Sequence, residues 1–167
     1  MVIYYYINMT TTVTFTINDV DFTFTIPSTA LLQSGFIKNL QETYQLFDDT
    51  VPLPIILPCI YMSSEDDLYK LLDIFVQCLM YIDDPNHIDF VHRTKIMVSD
   101  EYDNEYIDEL FKFDGNAALA NAFIANMLAI TDFMEVPSIY NYLCKKMYFI
   151  IQDAFEKNKD NTMAIQP

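Results

Sequence analysis

The sequence predicts an α+β fold, a small sheet laid against a helical bundle. Two patterns carry this. Residues 10–26 alternate apolar and polar side chains with period two, and later stretches repeat apolar residues at i, i+3, i+4 and i+7. The 167 residues, 52% hydrophobic, are enough to fill one core without disulfides or metals.

The elements run in order along the chain. Val13, Phe15 and Ile17 alternate with threonines, and Val20, Phe22, Phe24 and Ile26 with Asp21, Thr23 and Thr25, so Thr10 to Ile26 reads as a β-hairpin. Asn18-Asp19 supplies its tight turn, because both residues tolerate positive φ. Pro27 ends the second strand and Ser28 can cap the next segment. Gly35 to Tyr44 reads as a short helix with Phe36, Ile37, Leu40 and Tyr44 on one side, and Gln45 to Thr50 as a polar loop. The prolines of Val51 to Leu57 restrict that extended segment to a sheet edge.

Ser64 to Ile82 is the clearest helix, with Leu68, Leu71, Leu72, Phe75, Val76 and Leu79 in one stripe and Ser64 with Asp67 as a capping box in its acidic form. Asp83 to Glu109 holds nine acidic residues against Arg93 and Lys95, and most of it reads as a solvated excursion, with a short strand at Lys95 to Val98. Tyr106 to Phe113 returns to the core. Asn116 to Thr131 carries no charge and reads as a helix surrounded by protein. A further helix begins at Pro137, with the stripe Ile139, Leu143, Met147, Ile150, Ile151 and Ala154. Lys157 to Pro167 reads as a polar tail.

Composition excludes several functions. The net charge of −15 repels phosphate backbones, so no nucleic-acid partner is expected. With glycine only at positions 35 and 115, dinucleotide fingerprints and phosphate loops are ruled out. Cys59, Cys78 and Cys144 are widely spaced and odd in number, which predicts buried free thiols in a reducing, cytoplasmic or nuclear compartment. Met1 to Ile7 lacks a basic region and is short for a signal peptide, and no apolar run is long enough to span a membrane. His87 and His92 sit among Asp83, Asp84 and Asp89 without metal-ligand spacing, so a solvated loop is the better reading. Asp66-Asp67 and Asp108-Glu109 read as solubility features rather than acid–base pairs, and Ser34-Gly35 lacks the nucleophile-elbow pattern. No catalytic residue, cofactor or metal is expected.

Four fragments, in order, resemble one family. Ala30-Leu31-Leu32-Gln33-Ser34-Gly35-Phe36-Ile37-Lys38 is similar to the A-L-x-S-G-x-I-K stretch of elongin C and its Skp relatives. Val51-Pro52-Leu53-Pro54 matches their V-P-L-P, and Glu109-Leu110-Phe111-Lys112-Phe113-Asp114 resembles E-F-L-K-V-D. An ungapped register then brings Ala125-Asn126-Met127-Leu128-Ala129-Ile130 onto A-N-Y-L-D-I. The resemblance covers roughly residues 10–155 and points to the BTB/POZ fold of the Skp-type adaptors of SCF ubiquitin ligases. It implies a three-stranded sheet on a helical bundle at 10–135 (with the acidic excursion at 83–105), an extra C-terminal helix at 136–157 and a polar tail at 158–167.

The resemblance implies a non-enzymatic adaptor that links a cullin N-terminal domain to a substrate receptor. Asn126 and Met127, with Tyr106 and Leu110, are the expected cullin-type interface. Met127 stands where the family has tyrosine. The side chain of Asn126, polar in an apolar helix, either meets the partner or satisfies a nearby backbone carbonyl. Ile139, Leu143, Met147 and Ile150 share one helix face and are the expected second-partner interface for an F-box or other receptor. The family continues into further short helices where this sequence has its polar tail, so weakened F-box binding is expected. The alternatives are a self-associating, homodimeric BTB/POZ module or a cullin decoy.

Overall fold

The computed structural model describes residues 9–44, 52–62, 64–94 and 104–163. The expected loop at 45–50 and strand at 95–98 lie outside them. The chain is α+β: strand β1 (Thr10–Ile17), β2 (Val20–Pro27), helices α1 (Ser28–Leu31) and α2 (Gly35–Tyr44), strand β3 (Leu53–Ile56), then α3 (Glu65–Asp83), a 3-10 turn at Pro85–His87, α4 (Ile88–Thr94), α5 (Glu105–Leu110), α6 (Ala117–Phe133) and α7 (Pro137–Met163).

The sheet has the order β2-β1-β3, with β1 antiparallel to β2 and parallel to β3. Period two does the sorting: Val13, Phe15, Ile17, Phe24, Ile26, Leu53 and Ile55 are buried, Thr12, Thr14, Thr16, Thr23 and Thr25 face outward, and Thr11, on the inward side, is buried with its hydroxyl bonded to that of Ser28 (2.8 Å). Asn18 and Asp19 both take positive φ (51° and 65°), the conformation a two-residue hairpin turn requires. Pro54 has no N–H to donate, which suits the edge position of β3.

The most enclosed element is α3, in which nine residues from Leu68 to Ile82 are buried. Its cap is a variant of the expected box: Ser64 Oγ accepts from the Asp67 N–H (3.1 Å), and the Asp67 carboxylate accepts from the Ser64 hydroxyl (2.8 Å). The segment before α2 is fastened to the α6–α7 connection. Ser34 Oγ accepts from the Ile37 N–H (3.2 Å) and donates to the Met134 carbonyl (2.5 Å), while the Gly35 N–H reaches the Glu135 carbonyl (3.0 Å). A Cβ on Gly35 would come within 2.9 Å of the Glu135 Cβ, so only glycine permits this approach.

Three expectations need correction. The acidic excursion contains packed structure: Phe90 and Val91 of α4 and Asn104 are buried, and Asp83 accepts from Thr29 Oγ1 (2.6 Å) and Gln33 Nε2 (2.9 Å). Next, α6 is not surrounded; Ala117, Ala118, Ala125 and Ala129 are not buried, which costs little because a methyl group carries little apolar area. Lastly, α7 continues to Met163 through most of the expected tail, giving 27 residues of helix.

The cysteines also differ from expectation: Cys78 is buried, Cys144 half-buried and Cys59 exposed. Burial pushes the Cys78 thiol from 9.0 up to about 12. The native state therefore keeps a proton that the unfolded chain releases. This contribution to stability is intact below pH 9.0 and is lost toward pH 12, at about 1.4 kcal/mol per pH unit. Urea midpoints should fall steeply above pH 9 in the native sequence and less steeply in Cys78→Ala. Equal slopes would show that Cys78 is not the titrating group.

Candidate functional site

The connection from β3 to α3 is held in an unusual way. The Asn18 side-chain amide grips the backbone of Ile60, with Nδ2 donating to the carbonyl (2.7 Å) and Oδ1 accepting from the N–H (3.2 Å). Asn126 of α6 does the same for the next residue: Nδ2 donates to the Tyr61 carbonyl (3.2 Å) and Oδ1 accepts from its N–H (3.3 Å). Asn126 Nδ2 also reaches the Ala122 carbonyl (2.9 Å) and Met62 Sδ (3.1 Å). Two side-chain amides, one from the hairpin turn and one from α6, thus act as stand-in strands, supplying the backbone partners an extended segment would otherwise find in a sheet.

The result is a fixed loop that buries Ile60 and presents Tyr61 at 89% exposure, with Ile56 at 75% and Cys59 also exposed. Tyr61 is thus a candidate contact residue, since tyrosine is enriched among interface anchors. Sequence reading missed Tyr61, because both clamps span long separations and leave no local pattern.

The four residues of the first expected interface do not form one exposed surface. Asn126 is half-buried, and its amide satisfies the backbone groups of Tyr61 and Ala122. Met127 is wholly buried (0% exposed) and belongs to the core, so its side chain is not part of the surface. Leu110 is half-buried against the core. Tyr106, on α5, is 45% exposed and lines a different feature.

That feature is a cavity of about 550 Å³ between the end of α3 and the start of α5. Met80, Tyr81, Asp84, His87, Glu105 and Tyr106 line it, together with Asn104. Tyr81 stacks on His87 (centroids 3.7 Å apart, planes at 14°) and on Tyr106 (4.8 Å, 9°). Asn104 caps α5 by accepting from the Ile107 N–H (3.0 Å), and its Nδ2 donates to the Tyr81 hydroxyl (2.7 Å). Burial, then the electrostatic influence of Cys78, Asp73 and Tyr81, pushes the Tyr106 hydroxyl above its usual range. His87 Nδ1 pairs with the Tyr81 carbonyl (2.9 Å) and His92 is exposed. Among the described residues no group of three His, Cys, Asp or Glu could hold a metal ion.

The second expected interface divides along α7. Ile139 and Leu143 are core, at 0% and 1% exposure, because this half of the helix packs on α6 and α4. Here the Tyr142 hydroxyl donates to Asp108 (2.7 Å) and accepts from the Asn104 N–H (2.8 Å), and Lys146 pairs with Asp108 (2.8 Å). The Asp108 carboxylate is therefore structural. Met147 and Ile150 are half-buried. Beyond them residues 151–157 are all exposed. Tyr148, Ile151 and Phe155 stand at i, i+3 and i+7, the spacing of one helix face. Tyr148 and Phe155 were absent from the sequence stripe, which followed the buried face outward.

No helix among the described residues is long and apolar enough to cross a membrane. No family model matches the chain, and neither does any curated protein.

Proposed function

We propose that this chain is a non-enzymatic adaptor of the Skp type, linking a cullin scaffold to a substrate receptor in a ubiquitin ligase. The observation that carries the reading is the presence of two exposed apolar surfaces: Tyr61 on the clamped loop with Ile56 at the end of β3, and Tyr148, Ile151 and Phe155 on α7. A bridging protein needs two such faces, and each offers an i, i+3, i+7 helix or a preordered aromatic, the features that seat proteins on one another. The four family-like fragments give the two faces their partners. The loop beside Asn126 meets the cullin N-terminal domain, and the α7 face meets an F-box or other receptor. Ubiquitin transfer belongs to other subunits.

The test is sedimentation of the chain with a cullin N-terminal domain and an F-box segment, separately and together. A complex of one copy of each is the expected result. A tight homodimer that binds neither protein would instead make this a self-associating module. Binding of the cullin alone, with the F-box excluded, would make it a decoy.

A further inference from the structure

We propose that the cavity between α3 and α5 binds the guanidinium group of an arginine presented by a basic partner segment. The first observation is a plane. Tyr106 is 45% exposed, yet its ring is fixed by parallel stacking on Tyr81, which stacks in turn on His87. A rigid aromatic plane at the surface loses little freedom when a ligand lies on it. A guanidinium, planar and weakly hydrated, suits it better than a compact ammonium group.

The second observation is the charge and lining around that plane. Among the described residues Asp84 and Glu105 line the cavity, and no Lys or Arg does. The Asp84 carboxylate is already oriented, because its Oδ1 accepts from both the N–H and the Nδ2 of Asn86 (2.9 Å each). Carboxylates take the forked donors of arginine in a way that a single ammonium cannot reproduce. Met80, 41% exposed, offers a deformable apolar wall for the methylene stem. The His87 ring is held in its stack by the contact of its Nδ1 with the Tyr81 carbonyl (2.9 Å). The net charge of −15 steers basic segments toward the molecule as a whole, and the stacked rings select among them.

This site is independent of the adaptor reading, and its test needs neither a cullin nor a receptor. The isotope-labelled full chain is titrated with an acetylated, amidated Gly-Arg-Gly peptide, and in parallel with lysine and citrulline versions, and followed by amide chemical shifts. Shifts should be confined to residues 80–87 and 104–107, be strongest with arginine, and vanish with citrulline, which keeps the shape but lacks the charge. Tyr106→Leu, at an exposed position, should lower the arginine affinity about two- to fivefold and bring it level with lysine. Glu105→Gln should weaken both peptides. Equal binding of arginine and lysine, unaltered by Tyr106→Leu, would overturn the site in favour of diffuse attraction. Absence of localised shifts at millimolar arginine peptide would overturn it outright.

Discussion

Phe155→Asp should abolish receptor binding while leaving the melting temperature almost unmoved. The side chain is 76% exposed on α7, so its loss from the folded protein falls within the ±0.5 kcal/mol typical of surface changes. At an interface its burial contributes about 1.5–3 kcal/mol, and a carboxylate in its place adds an unpaired charge. Leu143→Asp should behave in the opposite way. Leu143 is 1% exposed, and an unpaired carboxylate there should cost more than about 4 kcal/mol, a large part of a typical domain's stability. A melt monitored by circular dichroism, with calorimetry against an F-box segment or sedimentation for self-association, separates the two. If Phe155→Asp binds as tightly as the native chain, the outer half of α7 is not an interface.

The second large effect is expected at the clamped loop. Tyr61→Ala should weaken binding to a cullin N-terminal domain by about 2 kcal/mol or more, the scale of a central aromatic anchor, with no change in the melt. Asn126→Ala should lower both. It removes the bonds to Tyr61 and Ala122, at a cost of about 1–3 kcal/mol for the groups left unpaired, and releases the residue it positions. Asn126→Asp keeps the acceptor for the Tyr61 N–H but loses the donors. Met127→Glu should simply unfold the protein, because Met127 is fully buried. Calorimetry on folded variants decides the matter, and unchanged affinity in Tyr61→Ala would remove the loop from the site.

These expectations depart from the sequence-based ones at particular places. The hairpin, α2 and α3 were legible because their signals are local: period-two alternation, an Asn-Asp turn, and a cap before an apolar stripe. The outer part of α7 was not. Ile139, Leu143, Met147 and Ile150 do share a face, but burial fades along that face as the helix leaves its neighbours. Periodicity gives the phase of a helix and not the extent of what covers it. Asn126 was legible as an anomaly, a lone amide in an apolar segment. Its target lies 65 residues away, so the loop it holds, and Tyr61 with it, could not be read. The helix Ile88–Thr94 was hidden because the surrounding acidic residues outweighed the short apolar pair Phe90-Val91.

Mechanically, α7 is a cantilever. Its 27 residues make a rod about 40 Å long, built into the body at one end and uncovered over residues 151–157. A partner that grips Phe155 pulls about 18 Å along the axis from Leu143. The root of the beam is where Tyr142 and Lys146 meet Asp108 and where the Tyr142 hydroxyl holds the Asn104 N–H. Sideways load applied at the tip would therefore pass into α4 and α6, on which the root packs, and through Asp108 and Asn104 into α5.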